Sequence, residues 1–372
     1  MTHKKRVAVF FGGRSPEHDV SVVSGLQILQ AIDTNLYDPF PVYVTPSGQW
    51  FIGDALRARA NYMFSEQGLS QLTPVNLDIS ANASGCLHIL NQGIFKKAPI
   101  LFDIALPVFH GSFGENGGFQ GLMEFANVAY AGMRAKAAQI FMDKDVTKRA
   151  LMHAGIPMLP HATIERPLTG LLVHPDVLAP HMATIGFPCC VKPANLGSSI
   201  GVSKATNMDE AVAVLATIFK MDSKAIIEPF VQHLVEYNVA VRVNAKGDVE
   251  TSAIERPKSS SELLDFKAKY LSSGGSKKLG GSKVSNTPSE GMLSLTREIN
   301  PNLPADKMAN IRNWAVTAYK AFGVGGAPRI DFIGNSESGE MGVNELNPIP
   351  GSYGYFLWEA SSNHILFTEF LT

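Results

Sequence analysis

"APRIDFIGNSESGEMGVNELNPIPG", residues 327–351, carries two short alternating runs, "RIDFI" and "MGVNEL", on either side of a turn rich in Gly, Ser and Asn. That pattern predicts an antiparallel hairpin. Side chains alternate between the two faces of a strand. Arg329 and Asp331 therefore share one face, and Glu345 and Asn347 share one face of the partner strand. Pairing about the turn brings Asp331 opposite Glu345. Like charges facing each other across a strand pair are destabilising unless a cation separates them. Asp331, Glu345 and Asn347 form an oxygen-only donor set with no His or Cys, which suits Mg²⁺ bound together with substrate phosphates. A single acid in such a hairpin reads as solvated surface charge; the converging set reads as a metal site.

A second stretch gains meaning beside the first. "KPANLGSSIG", residues 192–201, follows the apolar run "GFPCCV". The Walker phosphate loop places its glycines first and its lysine last with a helix behind, and here Lys192 comes first, so that motif is excluded. Lys192 leaves a strand toward a phosphate-sized space. Gly197 and Gly201 let backbone amides approach, and Ser198 and Ser199 add hydroxyl donors. Alone this reads as a plain Gly/Ser turn. Paired with an oxygen-rich hairpin it reads as a flap over a triphosphate. Lys144 in "MDKD" and Glu228 in "IIEPF" would sit at the edges of the same cleft, although each alone reads as a surface charge.

Outward from these stretches the chain has α/β texture. "RVAVFF" (6–11) ends in Gly12 and Gly13 and is followed by "VSVVSGLQILQAI", apolar at helical spacing, for which Asp19 or Ser21 is the expected cap. "ILFDIALPVF" (100–109) leads into a second Gly-rich turn and helix, "HGSFGENGGFQGLMEFA". A parallel sheet with ligand loops at its strand ends is the expectation. "AAQIFMDKDVTKRALMHAGI" reads as one helix closed by Gly155 and Pro157. A helix near 208–221 and a strand over 224–231 that ends at Pro229 follow. Residues 258–290 turn to Ser, Gly and Lys, as expected of a lid or linker. Beyond them, Met308, Ile311, Ala315, Ala318 and Phe322 fall on one helix face. The expected borders near 133 and 230 divide the chain into 1–133, 134–230 and 231–372.

The totals bound the function. At 372 residues the chain exceeds one growing core, and a length prior suggests two or three domains. Hydrophobic residues make up 45% and charged ones 17%, too apolar for disorder. A formal net charge of −1 steers the whole molecule neither to nucleic acid nor to an anionic membrane, so any anion is held locally. The apolar run in "MTHKKRVAVFFGG" is too short for a secretion signal and reads as a first strand; no uncharged run spans a bilayer. Cys86, Cys189 and Cys190 are odd in number and fit neither a disulfide framework nor a zinc pattern, which leaves the cytoplasm as the expected compartment.

In chain order, "FFGGRSPEHDVSVVSG", "HGSFGENGGFQGLMEFANVAYAG", "MDKDVTKR", "VKPANLGSSIGVSK", "DFKAKY", "RIDF" and "NELNPIPG" resemble the D-alanine–D-alanine ligases of the ATP-grasp superfamily. The resemblance implies an α/β (α+β) ATP-grasp fold of three domains with ATP between the central and C-terminal ones. It implies an enzyme that joins two D-alanines through a D-alanyl phosphate for peptidoglycan synthesis in the cytoplasm, with small-molecule substrates, no nucleic acid or membrane partner, and a homodimeric assembly.

By the same resemblance Glu17 holds the ammonium of the first D-alanine, with His110 nearby, and is linked to Ser198 and Tyr270. Lys144, Lys192 and Lys269 contact ATP phosphates, Ser199 lies on the same nucleotide, and Glu228 and Glu236 take its adenine and ribose side. Asp331, Glu345 and Asn347 carry two Mg²⁺ ions, with Mn²⁺ as the alternative ion. Arg329 and the backbone amide of Gly351 stabilise the tetrahedral intermediate. Two departures stand out: an enlarged lid at about 258–303, and "GSYGYFLWEAS", in which Phe356 stands where the family places an acceptor-binding serine. Ser352, Tyr353 or Tyr355 is then expected to take the acceptor carboxylate. A ligase with another amino or hydroxy acid as acceptor, and an ATP-binding regulator without turnover, are the competing readings.

Overall fold

The computed structural model describes residues 4–62, 66–80, 85–90, 97–258, 297–323 and 325–372. Lys269, Tyr270 and most of the expected lid lie outside them.

The first sheet holds β1 (Lys5–Gly12), β2 (Tyr37–Val44), β3 (Trp50–Ile52), β4 (Thr73–Leu77), β5 (Cys86–Ile89), β6 (Ile100–Leu101) and β7 (Ile104–Pro107), in the order β6-β5-β4-β3-β2-β1-β7. Only β1 with its neighbours β2 and β7 is parallel. The remaining pairs are antiparallel, so the expected parallel sheet holds at one end only. The reason is local: Thr45 N–H donates to Gln49 O at 2.9 Å, a turn far too short for a parallel crossover.

Among the described residues of this region the α-helices are α1 (His18–Ala31), α2 (Glu66–Leu69) and α3 (Gly118–Phe125). The cap expected for α1 is absent. Glu17 occupies the N-cap position without a side-chain bond to the helix. Ser21 instead accepts from Gly12 N–H and donates to Val108 O, both at 2.7 Å. That bond ties the end of β1 to the chain just beyond β7, where the ligand loops begin.

The single helix expected over 137–156 is two, α4 (Ala135–Met142) and α5 (Lys144–His153). Asp143 breaks it: its extended backbone lets Oδ1 accept from the N–H groups of Asp145 and Val146, both at 3.1 Å. A capping aspartate competes with helix continuation.

The second sheet, β8 (Ala162–Glu165), β9 (Cys189–Pro193), β10 (Ser203–Ala205) and β11 (Lys224–Pro229), is antiparallel in the order β10-β9-β11-β8. It packs against α6 (Pro175–Ile185) and α7 (Met208–Ile218) through Leu178, Met182, Leu215 and Ile218.

The third sheet, β12 (Leu234–Val243), β13 (Val249–Pro257), β14 (Arg297–Ile299), β15 (Arg329–Asn335) and β16 (Met341–Asn347), runs β14-β13-β12-β15-β16, also antiparallel. On it lies α8 (Ala305–Ala321), which buries Ile311, Ala315 and Ala318 with Met308 and Phe322 partly covered, as its spacing predicts. Two short helices close the chain, α9 (Tyr355–Glu359) and α10 (Phe367–Phe370). Phe141 and Leu151, from α4 and α5, share one core with Phe332 and Val343 of the hairpin, which fixes the lysines of α5 over β16. Among the described residues no helix is long and apolar enough to cross a membrane.

Candidate active site

The hairpin β15–β16 pairs Asp331 with Glu345, the register expected from its alternation. One residue further the register shifts, and Phe332 pairs with Val343. Asn344 is thus an extra residue, a β-bulge. Val343 keeps its place in the core, while Asn344 and Glu345 both reach lysines: Lys192 Nζ donates to Asn344 Oδ1 at 2.8 Å, and Lys144 Nζ lies 3.1 Å from Glu345 Oε2. Arg329 grips Asp331 with two bonds of 2.6 Å, and Asn347 Nδ2 donates to Asp331 Oδ2 at 2.9 Å. The side chains of Asp331, Glu345 and Asn347 offer oxygen donors on adjacent strands, a set that fits a hard divalent cation of the Mg²⁺ kind.

Behind the hairpin lies a buried row of alternating charge. Asp143, by starting α5 at residue 144, places Lys144 and Lys148 one turn apart on the same side. Strand β11 sets Glu228 two residues along from Ile226, the register partner of Lys192. Glu228 then meets Lys148 and Lys192, each at 2.6 Å. The Lys148 contact joins two fully buried charges. Burial would raise the Glu228 carboxyl, but the two ammonium groups outweigh it and hold it at about 2. For Lys148 burial prevails over Glu228 and lowers its pKa; Lys192 moves the other way, because the acids around it outweigh its burial.

The flap joins this row to the first sheet. Ser198 hydroxyl donates to Glu17 Oε1, and Lys144 Nζ donates to Leu196 O at 2.6 Å. Ser198 and Ser199 both adopt left-handed backbone, φ 51° and 58°, a conformation that non-glycine residues keep only where their surroundings enforce it. Gly111, at φ +78°, has no room for a side chain: a Cβ there would stand 2.1 Å from Ser15 Oγ and 2.8 Å from Glu17 Oε2. Glu17 is buried, and burial raises its carboxyl against the Ser198 bond, with Glu345 raising it further and Lys144 opposing. Flap, hairpin and N-terminal acid thus form one cluster.

His110, also buried, ties in the turn after the hairpin. Its Nδ1 bonds Ile349 O at 3.0 Å and its Nε2 meets Ser24 Oγ at 2.9 Å. A carbonyl only accepts, so Nδ1 carries the proton and Nε2 accepts from Ser24, the neutral ring. Burial first, and Arg329 after it, depress its pKa to about 4. A base whose folded pKa lies below its unfolded value loses stability as pH falls from about 6.5 toward 4. His110→Gln is expected to flatten that part of the stability curve, read by denaturant titration at a series of pH values.

Two neighbours escaped the sequence reading. Glu115, in "HGSFGENGG", accepts from Gly111 N–H at 2.6 Å and Ile349 N–H at 3.0 Å, and burial together with Glu17 pushes it up to about 8. Lys148 is 0% exposed. Its only sequence signal is the four-residue spacing from Lys144, which a surface helix shows equally often.

The other expected residues divide. Lys144 and Glu228, which alone read as surface charges, are buried. Ser199 is half-buried in the flap, and its carbonyl accepts from Val202 N–H at 3.3 Å. Glu236 is half-buried on β12, paired in register with Ile333 of β15. Gly351 is half-buried beside Ser352, whose N–H donates to Ser24 Oγ at 3.0 Å and whose hydroxyl bonds Gln27 Oε1. Tyr353, one of the three residues expected to take the acceptor carboxylate, belongs to the core under the first sheet; its hydroxyl donates to Pro107 O, and burial pushes its pKa up. Tyr355 stacks on Phe367 at 4.4 Å.

Two family models match the chain, "D-ala D-ala ligase N-terminus" over residues 6–133 and "D-ala D-ala ligase C-terminus" over residues 150–363. The D-alanine–D-alanine ligase of Thermoanaerobacter pseudethanolicus is 31% identical over 366 residues, covering 96% of this chain and 92% of its own. That of Ruminiclostridium cellulolyticum is 33% identical over 368 residues, covering 96% and 91%. Among solved structures, the VanG D-Ala:D-Ser ligase of Enterococcus faecalis superposes with a TM-score of 0.77 at 24% identity, over 99% of this chain and 98% of its own. The D-alanine–D-alanine ligase of Coxiella burnetii gives 0.77 at 22%, over 99% and 92%. At these identities the superpositions speak for the fold.

Proposed function

Because the chain belongs to the D-alanine–D-alanine ligase family, we propose that it joins two D-alanines at the expense of ATP, through a D-alanyl phosphate, in peptidoglycan synthesis. The observation that carries this reading is the Ser198–Glu17 bond, which closes a lysine-bearing flap over an N-terminal acid beside the Lys144–Glu345 and Lys192–Asn344 contacts.

In the reaction the carboxylate of the first D-alanine attacks the γ-phosphorus, and ADP leaves. The amine of the second then attacks the acyl carbon, and phosphate leaves. Such steps need positioning and charge stabilisation rather than a protein nucleophile. Glu17, buried and oriented by Ser198, is suited to take an ammonium. Lys144 and Lys192 stand where triphosphate oxygens would compete with Glu345, Glu228 and Asn344 for their protons. Arg329, fixed along the strand by Asp331, is suited to an oxyanion near the Gly351 amide. ATP use and a divalent metal come with the family; Asp331, Glu345 and Asn347 would hold the metal, two Mg²⁺ in our reading, which neutralises charge on the transferring phosphoryl group.

Phosphate release with D-alanine, ATP and Mg²⁺, with the dipeptide identified by mass, tests the proposal. No release with any D-amino or D-hydroxy acid would sink it. Chelation is expected to abolish turnover and Mg²⁺ or Mn²⁺ to restore it, with Asp331→Asn raising the half-saturating metal concentration at least about 10-fold.

A different acceptor remains a second reading, favoured by the segment 352–358: Phe356 stands where the family pattern expects a carboxylate-binding serine, Ser352 bonds Gln27 and Tyr355 stacks on Phe367. A panel of acceptors decides, and a clear preference for D-alanine removes it. The cytoplasmic location, a homodimer and domain borders near 133 and 230 belong to the same proposal, the dimer being checked by light scattering.

A further inference from the structure

We propose that Asp78, Cys86 and His88 form a binding site for one divalent transition-metal ion of the Zn²⁺ class, on the β4–β5 hairpin and separate from the ligase cleft. The cysteine count and spacing argued against any zinc pattern, because Asp78 reaches the other two across a strand pair. The pairing of β4 with β5 sets Leu77 opposite Leu87 and Asn76 opposite His88. Asp78 N–H extends the ladder by donating to Cys86 O at 2.9 Å. Cys86 and His88, two residues apart on one strand, point to the same side. One carboxylate oxygen, one imidazole nitrogen and Sγ consequently lie within 4.8 Å of one another.

Metal–ligand bonds of about 2.0–2.3 Å in a tetrahedron require donor separations of roughly 3.3–3.6 Å. His88 Nε2 and Asp78 Oδ2 now stand 2.8 Å apart as a hydrogen-bonded pair, so small side-chain shifts suffice. Ser80 N–H donates to Asp78 Oδ1 at 2.8 Å, which orients the carboxylate and leaves Oδ2 to His88. Cys86 is 5% exposed, while the side chains of His88 and Asp78 are 54% and 26% exposed. A thiol at the base and an open rim leave a fourth position for water, the pattern of a three-ligand site.

A sulfur, a nitrogen and an oxygen select a borderline ion over Mg²⁺ or Ca²⁺. On binding, the Cys86 thiol releases its proton to solvent and the thiolate sulfur bonds the metal. Strands β4, β3 and β2 separate β5 from β1, whose end meets the candidate active site, so this ion is distinct from those expected at Asp331.

The test uses the full chain, chelator-treated and then saturated with Mg²⁺ and ATP. Calorimetric titration with Zn²⁺ is expected to show one equivalent bound. Co²⁺ in its place is expected to give a thiolate-to-metal charge-transfer band. His88→Ala, at an exposed position, weakens Zn²⁺ binding at least about 10-fold without changing turnover or melting, and Cys86→Ser abolishes the band while Cys190→Ser leaves it intact. Substoichiometric Zn²⁺, or binding and a band that survive both changes at the hairpin, overturns the assignment. Both readouts are independent of ligase activity, so they stand or fall apart from the proposed function.

Discussion

Replacing Lys192 with Met is expected to lower kcat/KM for ATP-dependent ligation by about 10²–10³-fold, the range seen when one preorganised donor to a developing charge is removed. The side chain is held between Glu228 and Asn344, and the surrounding acids keep its pKa above the ordinary lysine value, so it carries its proton at any working pH. Met keeps the length and the burial but takes away the charge. The fold is expected to survive at some cost in stability, because Glu228 keeps Lys148 at 2.6 Å but loses one of its two buried partners. Lys192→Arg is expected to recover only part of the loss, since a planar fork replaces a point charge in a fitted space. Steady-state phosphate release at varied ATP checks this. A loss under about 10-fold would remove Lys192 from the transferring phosphoryl group.

The second large effect falls on stability. Lys148→Met should destabilise the protein by about 3 kcal/mol, the low end of the usual cost of breaking a buried ion pair, because Glu228 keeps Lys192 at 2.6 Å. Lys148 makes no expected substrate contact; it neutralises one side of Glu228 where both side chains are buried. Met fills the same volume, so packing loss is small and the deficit is electrostatic. The double change Lys148→Met with Glu228→Gln is expected to recover part of the loss, because an amide tolerates burial that a carboxylate does not, and the two effects are then non-additive.

pH separates this from a packing defect. Glu228 has a depressed folded pKa, so its contribution is present above about 4.5 and is lost as pH falls through that value toward about 2. The gap between the native chain and the single variant should therefore narrow over that acid range. Denaturant unfolding at neutral pH and near pH 4 measures it, and a constant gap would mean that charge is not the cause.

Local patterns carried the hairpin, the flap and α8 far. Alternation in "RIDFI" and "MGVNEL" foretold the Asp331–Glu345 pairing because strand periodicity is a property of neighbouring residues. The same rule missed Asn344, since a bulge arises when a core demand on Val343 meets a cleft demand on Glu345, and no stretch of one strand records both. The helix expected over 137–156 failed in a related way. Its apolar spacing persists through Asp143, and only the capping bonds to Asp145 and Val146 break it.

Motif order, through a resemblance, determined the family and its fold class, and alternation predicted a carboxylate hairpin, which the structure sets beside a lysine-bearing flap. Motifs and alternation depend on residues close together along the chain. Tertiary structure alone decided that Glu228 is clasped by Lys148 and Lys192, that Glu115 sits uncharged-leaning behind Glu17, that Tyr353 belongs to a core, and that Asp78 meets Cys86 and His88. Burial and strand register set these contacts, and both arise only when segments distant in sequence exclude water from between them.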